Sequence, residues 1–183
     1  YLYGYDNTGW WKNNISFELL TYFTKLSNVE FHFMVVRLQQ SIDKWIELKP
    51  KRILFHIEAQ EPEDTETIIK KCKLAQIEVG LVLNPETQIL KIKPWLEEID
   101  SVVFMGVRPG YGGQEFIPET ATKIKLLRYN HPNIKIEVDG GIRIENIKQL
   151  KEAGADIFVI GSGIFKAPDI SQAISSFKAV LSK

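Results

Sequence analysis

Apolar runs of roughly five to eight residues alternate with amphipathic stretches of roughly ten to fifteen, the two periods expected of strands and helices. In chain order the pattern predicts a strand at Tyr1–Asp6, a loop at Asn7–Asn14 and a helix over Ser16–Leu26. Further strands are expected at Val29–Val36, Arg52–Glu58, Ile77–Leu83, Ser101–Val107, Ile134–Val138 and Asp156–Ile160. The helices that alternate with them fall at Ser41–Leu48, Pro62–Ala75, Asn84–Glu97, Pro118–Tyr129, Ile144–Ala153 and Ile170–Leu181. Glu63 and Asp64 open the Pro62 helix, where its dipole favours acidic side chains.

Strands that alternate with helices imply parallel pairing through right-handed crossovers, in either an open doubly wound sheet or a (β/α)8 barrel. Strand parity separates the two. Val29, Phe31, Phe33 and Val35 share one face, while Glu30, His32 and Met34 share the other. Ile53, Phe55 and Ile57 oppose Leu54, His56 and Glu58; Ile134, Ile136 and Val138 oppose Lys135, Glu137 and Asp139. An open sheet covered on both sides would be apolar on both faces. These strands are polar on one face only, so the α/β class narrows to a (β/α)8 TIM barrel in a single domain over residues 1–183. Its seven units begin at a strand, as if the first β/α unit of the barrel were missing from this chain.

Barrel sites collect where strands end, and several strand ends here are built from small residues. The run Val102–Val107 breaks into Arg108-Pro109-Gly110-Tyr111-Gly112-Gly113-Gln114 before the next helix. Val138-Asp139-Gly140-Gly141 and Ile160-Gly161-Ser162-Gly163 close two later runs in the same way. Glycine-rich turns leading into helices present backbone N–H groups to an anion such as phosphate. The polar faces bring His32, Met34, His56, Met105, Asp139, Tyr3 and Tyr5 to the same ends, a set suited to metal binding or to acid–base work on a sugar phosphate. His56 reads equally as a hydrogen-bonded core residue. Glu30 and Glu137 lie lower on those faces and read as buried ion-pair or bottom-layer residues. Trp10-Trp11 reads as a lid over the mouth or as a partner surface.

Composition excludes several classes. Lys plus Arg and Asp plus Glu balance at 23 each, so no basic field argues for nucleic acid. No apolar run reaches the roughly 18 residues needed to span a membrane. The lone cysteine, Cys72, cannot form an internal disulfide, which fits a reducing, cytoplasmic setting.

The stretch MGVRPGYGGQEFIP, Met105–Pro118, resembles the ribulose-phosphate 3-epimerase pattern M-[ST]-V-[EN]-P-G-F-G-G-Q. The resemblance continues through FHFM at Phe31–Met34, FHIEA at Phe55–Ala59, GLVLNPET at Gly80–Thr87, EVDGGI at Glu137–Ile142 and GADIFVIGSGIF at Gly154–Phe165. It implies a barrel of the ribulose-phosphate-binding type that interconverts ribulose 5-phosphate and xylulose 5-phosphate. In that family one Asp takes the C3 proton and a second returns one to the opposite face. A divalent metal (Zn, Fe, Mn or Co), held by two His and the two Asp, stabilises the enediolate. The resemblance makes His32 a metal ligand and Asp139 the second Asp, both ligand and catalytic acid–base. It makes Gly110, Tyr111, Gly112, Gly113, Gly140, Gly141, Gly161 and Ser162 the substrate phosphate cradle, with His32, Met34 and Met105 also against the sugar.

The second-strand motif of the family, H-[IVL]-D-[VI]-M-D-G, falls without a gap on Tyr3-Gly4-Tyr5-Asp6-Asn7-Thr8-Gly9. Tyr3 and Tyr5 thus stand where a metal-binding His and the proton-abstracting Asp are expected. Two functions follow: an epimerase of a phosphorylated ketose, or a catalytically inactive barrel that binds a sugar phosphate or acts as a structural or regulatory partner. Family members assemble as homo-oligomers, and the same is expected here.

Overall fold

The structure is a computed structural model that describes residues 17–110 and 113–182. The expected strand Tyr1–Asp6, the loop Asn7–Asn14 and Trp10-Trp11 lie outside the described residues. The chain's contacts divide into two compact units, Tyr1–Val82 with Leu90–Asp100, and Leu83–Ile89 with Ser101–Lys183.

In the first unit, α1 (Phe17–Leu26), β1 (Glu30–Phe33), α2 (Ile42–Glu47), β2 (Arg52–His56), α3 (Pro62–Leu74) and β3 (Glu78–Leu83) alternate as the pattern predicts. β2 pairs in parallel with β1 on one side and β3 on the other, in a register that aligns Glu30, Arg52 and Glu78. The odd-numbered face of β1 is apolar because it packs on a helix. The ring centroids of Phe31 and Phe33 lie 5.7 and 5.0 Å from that of Trp45 in α2, and Phe17 of α1 reaches the same indole at 5.0 Å. In α3, Pro62 sits at the first turn, where a missing N–H costs nothing. Its inner face buries Thr65, Ile68, Ile69 and Cys72.

The aligned register creates a charged rung across three strands. The buried Arg52 guanidinium donates from Nη1 to Glu30 Oε2 at 3.1 Å, and from Nε and Nη2 to Glu78 Oε2 at 3.0 and 2.8 Å. Glu30 is therefore an ion-pair residue, as its low position suggested, but its side chain is 34% exposed rather than buried. A cation removed from water is tolerated only when such charged acceptors surround it.

In the second unit, β4 (Ser101–Met105), β5 (Lys135–Asp139) and β6 (Ile157–Val159) pair in parallel in chain order. They alternate with α4 (Glu119–Asn130), α5 (Ile147–Ala153), the single turn α6 (Ser162–Phe165) and α7 (Ile170–Leu181). Each unit carries the same device where a strand begins. Asp100 and Asp156 each donate a backbone N–H to a neighbouring strand, at Val79 O and Ile136 O, both at 2.8 Å. Their carboxylates accept the N–H of those same two residues, again at 2.8 Å. Lys73 Nζ neutralises Asp100 at 2.9 Å, and Arg128 Nη2 neutralises Asp156 at 2.5 Å. Arg128 also donates to the carbonyls of Pro132, Ile134 and Gly154, so one planar side chain ties α4 to the starts of β5 and β6.

Three expectations are corrected. Asn84–Glu97 is not an α-helix: an Asn84-Pro85-Glu86-Thr87 turn leads into a 3-10 helix, Ile89–Trp95, with Pro94 inside it. Proline lacks the N–H that an α-helical interior needs there. β1 ends at Phe33 and β2 at His56, so Met34, Val35 and Glu58 follow their strands rather than belonging to them. α6 is an addition to the expected pattern, because four residues are too few to show a helical period.

Two outcomes are expected. Replacing Arg52 with Ala removes the buried cation from between two part-exposed carboxylates and should lower unfolding free energy by roughly 1–3 kcal/mol in urea titration. Burial pushes the Cys72 thiol up to about 12, from an ordinary value of 9.0. Its folded pKa is thus raised, so its contribution to stability is complete below pH 9 and fades as pH climbs toward 12. Native protein at pH 8 should resist a thiol reagent that labels the urea-unfolded chain at once.

Candidate functional site

In the first unit the polar strand face brings two imidazoles together. Register sets His32 opposite Leu54, so His56 is its diagonal neighbour on the same face. Their rings stack at 5.1 Å with an interplanar angle of 17°, and the two Nε2 atoms are 3.0 Å apart. One Nε2 must donate and the other accept. Glu58 Oε2 lies 3.5 Å from His56 Nδ1 and favours a proton on that side, which leaves His56 Nε2 as the acceptor and His32 Nε2 as the donor. His56 is 4% exposed. Of the two readings of His56, the hydrogen-bonded one describes this geometry. Met34 is half-buried just past the end of β1.

In the second unit, β4 and β5 align Met105 with Asp139, so a thioether and a carboxyl are neighbours at the strand ends, both nearly fully buried. Gly106 N donates to Asp139 O at 2.7 Å and carries the ladder one step past both strands. Beyond that point the glycines are structural necessities. A β-carbon on Gly106 would lie 2.3 Å from Gly140 O and 2.7 Å from the Phe116 ring. Gly140 and Gly141 have φ of +100° and +68°, and a β-carbon on Gly141 would meet the Phe116 Cα at 2.7 Å. Ile117 N donates to Gly106 O at 2.8 Å. The loops after β4 and β5 can lie against each other only because these positions are bare.

The remaining cradle residues divide. Gly110 and Gly113 have φ of +138° and +85°, and Gly161 precedes Ser162 at the start of α6 with no described atom within 4 Å of where a β-carbon would stand. Tyr111 and Gly112 lie outside the described residues, as do Tyr3 and Tyr5. Sequence reading missed what braces this loop. Arg108 pairs with Glu86 and holds that carboxyl below the usual range, while Gln114 Nε2 donates to Arg108 O at 2.7 Å. Lys123 Nζ donates to Asn84 O and Pro85 O, each at 3.1 Å, and lies 5.5 Å above the Phe104 ring. No local pattern announces such partners.

The donor chemistry can be set against the metal that the resemblance implies. A divalent ion in a protein site commonly takes three or more protein ligands. Among the described residues no three His, Cys, Asp or Glu side chains lie together as such a set. The described residues do not by themselves fit that group, and no chemical step is derived through it.

Comparison with known proteins adds the following. The profile of the Ribulose-phosphate 3 epimerase family matches residues 10–165. The ribulose-phosphate 3-epimerase of Escherichia coli (strain K12) is 36% identical over 162 residues, which cover 85% of this chain and 70% of that protein. That of Schizosaccharomyces pombe is 35% identical over 147 residues, 80% of this chain and 64% of its relative. The chain thus spans about two thirds of the length of these curated relatives. Among solved structures, 3-keto-L-gulonate-6-phosphate decarboxylase from Vibrio cholerae superposes with a TM-score of 0.72 at 13% identity, over 90% of this chain and 78% of that one. 3-Hexulose-6-phosphate synthase from Salmonella typhimurium gives 0.70 at 16%, over 90% and 79%. These likenesses establish the α/β fold of the barrel class.

No helix among the described residues is long and apolar enough to cross a membrane.

A Gly106→Ala substitution is expected to destabilise the fold by roughly 2–4 kcal/mol, since the β-carbon meets a backbone carbonyl that cannot rotate away. A fall in thermal midpoint measured by circular dichroism checks this; an unchanged midpoint would show that the two loops can part.

Proposed function

Because the chain belongs to the ribulose-phosphate 3-epimerase family, we propose that it inverts C3 of a pentulose 5-phosphate, interconverting ribulose 5-phosphate and xylulose 5-phosphate. The observation that carries the proposal is the buried Asp139, which ends β5 beside Met105 and is followed at once by the two glycines of the neighbouring loop.

C3 lies next to the C2 carbonyl, so loss of its proton gives an enediolate, and return of a proton to the opposite face inverts the centre. Asp139 is assigned as one of the two proton-transfer groups, working within hydrogen-bond reach of C3. Met105 offers a polarizable wall that excludes water without competing for protons. Backbone N–H groups of the glycine loops, with Ser162, hold the phosphate and fix which face of C3 meets the carboxyl. His32 enters as a sugar contact. The divalent metal of the family is given no step here, because the described residues do not fit it. The proton transfers are assigned to the chain's own side chains. Action in the cytoplasm and assembly as a homo-oligomer complete the proposal.

A second reading is favoured by one specific observation: Tyr3 and Tyr5 stand at the family's metal-binding His and proton-abstracting Asp. A phenol with a pKa near 10 is a poor base at neutral pH. On that reading the barrel binds the sugar phosphate without turning it over.

The two are separated by following C3 proton exchange of ribulose 5-phosphate in D2O by NMR, with added divalent metal. Exchange is expected, falling by roughly 10²–10⁴-fold in an Asp139→Asn variant of unchanged circular dichroism. Binding without exchange would establish the second reading.

A further inference from the structure

Lys166 is the first residue past α6, the turn that opens with Ser162. Among the described residues, its Nζ is the only atom within 4 Å of the β-carbon position of Gly113, at 3.8 Å. Gly113 belongs to the loop after β4 and Lys166 to the segment after β6, so the ammonium has crossed from one glycine turn to the other. Gly113, at a φ of +85°, has no β-carbon, so its Cα is bare on the side the ammonium occupies. Gly161, which immediately precedes the Ser162 turn, has open space on its own bare side.

The charge of Lys166 is uncommitted among the described residues. It joins no ion pair there, whereas Arg108 on the same loop as Gly113 is bound to Glu86. A phosphate monoester carries close to two negative charges at neutral pH, and backbone amides supply only partial positive ones. An ammonium that reaches a bare glycine from the facing turn is placed to supply the balance. Lysine suits this task as a point charge on a long stem, needing no fixed fork geometry.

We infer that Lys166 is a phosphate-binding residue of the substrate site, a cationic contact added to the backbone cradle. The inference rests on the sugar-phosphate reading above and gives that site its charge. Lys166 touches the phosphate and not the reacting carbon, so it governs KM rather than kcat.

The test uses the full chain with Lys166→Met and Lys166→Arg, and two readouts. The first is the dissociation constant of inorganic phosphate from NMR titration of backbone amides; the second is KM and kcat for ribulose 5-phosphate. Lys166→Met should weaken phosphate binding and raise KM by roughly five- to tenfold, with kcat held, and flatten the salt dependence of both. Lys166→Arg should restore most of the affinity. Wild-type affinity and KM in Lys166→Met would overturn the assignment and leave the epimerase reading standing. If the wild type binds phosphate without turnover, the titration alone decides Lys166. If the wild type neither binds phosphate nor turns over, the site reading and this assignment fall together.

Discussion

A single carbonyl oxygen, that of Gly140, sets the geometry of the second unit. It lies so near Gly106 that no side chain can stand there, and the neighbouring Gly141 is equally close to the backbone of Phe116. Native interiors are close-packed, and a β-carbon at such a distance cannot be absorbed by a small adjustment. The loops after β4 and β5 therefore meet backbone to backbone. That contact caps the β4–β5 ladder, whose register sets Asp139 beside Met105 at the strand ends. Several glycines that read as a phosphate cradle are thus required twice, once by the packing of the loops and once by the anion proposed to bind there.

The first unit rests on a different constraint. Its charged rung holds three strands in one register, and that register carries His32 and His56 into contact one layer above. A slip of one residue would turn every one of these side chains to the opposite face and expose Phe31 and Phe33. The ion pairs and the stacked imidazoles are thus two consequences of one alignment. Strength comes from the buried guanidinium, and position for chemistry comes from the layer above it.

Much of this was legible in the sequence, for identifiable reasons. Parity exposed the two faces of β1, β2 and β5 because one face of each packs on helices and tolerates little but apolar side chains. Pro62 with its acidic neighbours marked a helix start that the structure keeps. Asn84–Glu97 was misread because its apolar spacing fits a helix while Pro94 denies the hydrogen bonds. Arg52 was passed over because register between strands far apart in the chain leaves no local trace. The same holds for Lys166 beside Gly113: no spacing links a residue after β6 to a turn after β4. Of the candidate site, residue types and strand ends were readable; the Glu58–His56–His32 chain and the bracing of the glycine loop were not.

The paired Asp100 and Asp156 clamps have a use outside chemistry. Each carboxylate holds a backbone amide of the adjoining strand, Val79 in one unit and Ile136 in the other, beneath a neutralising cation. These two amides are slow to exchange with solvent only while their own unit stays closed. Their exchange rates, read side by side, act as independent clocks on the two units. They distinguish a chain that opens as one cooperative body from one whose units breathe separately, without any label or substrate.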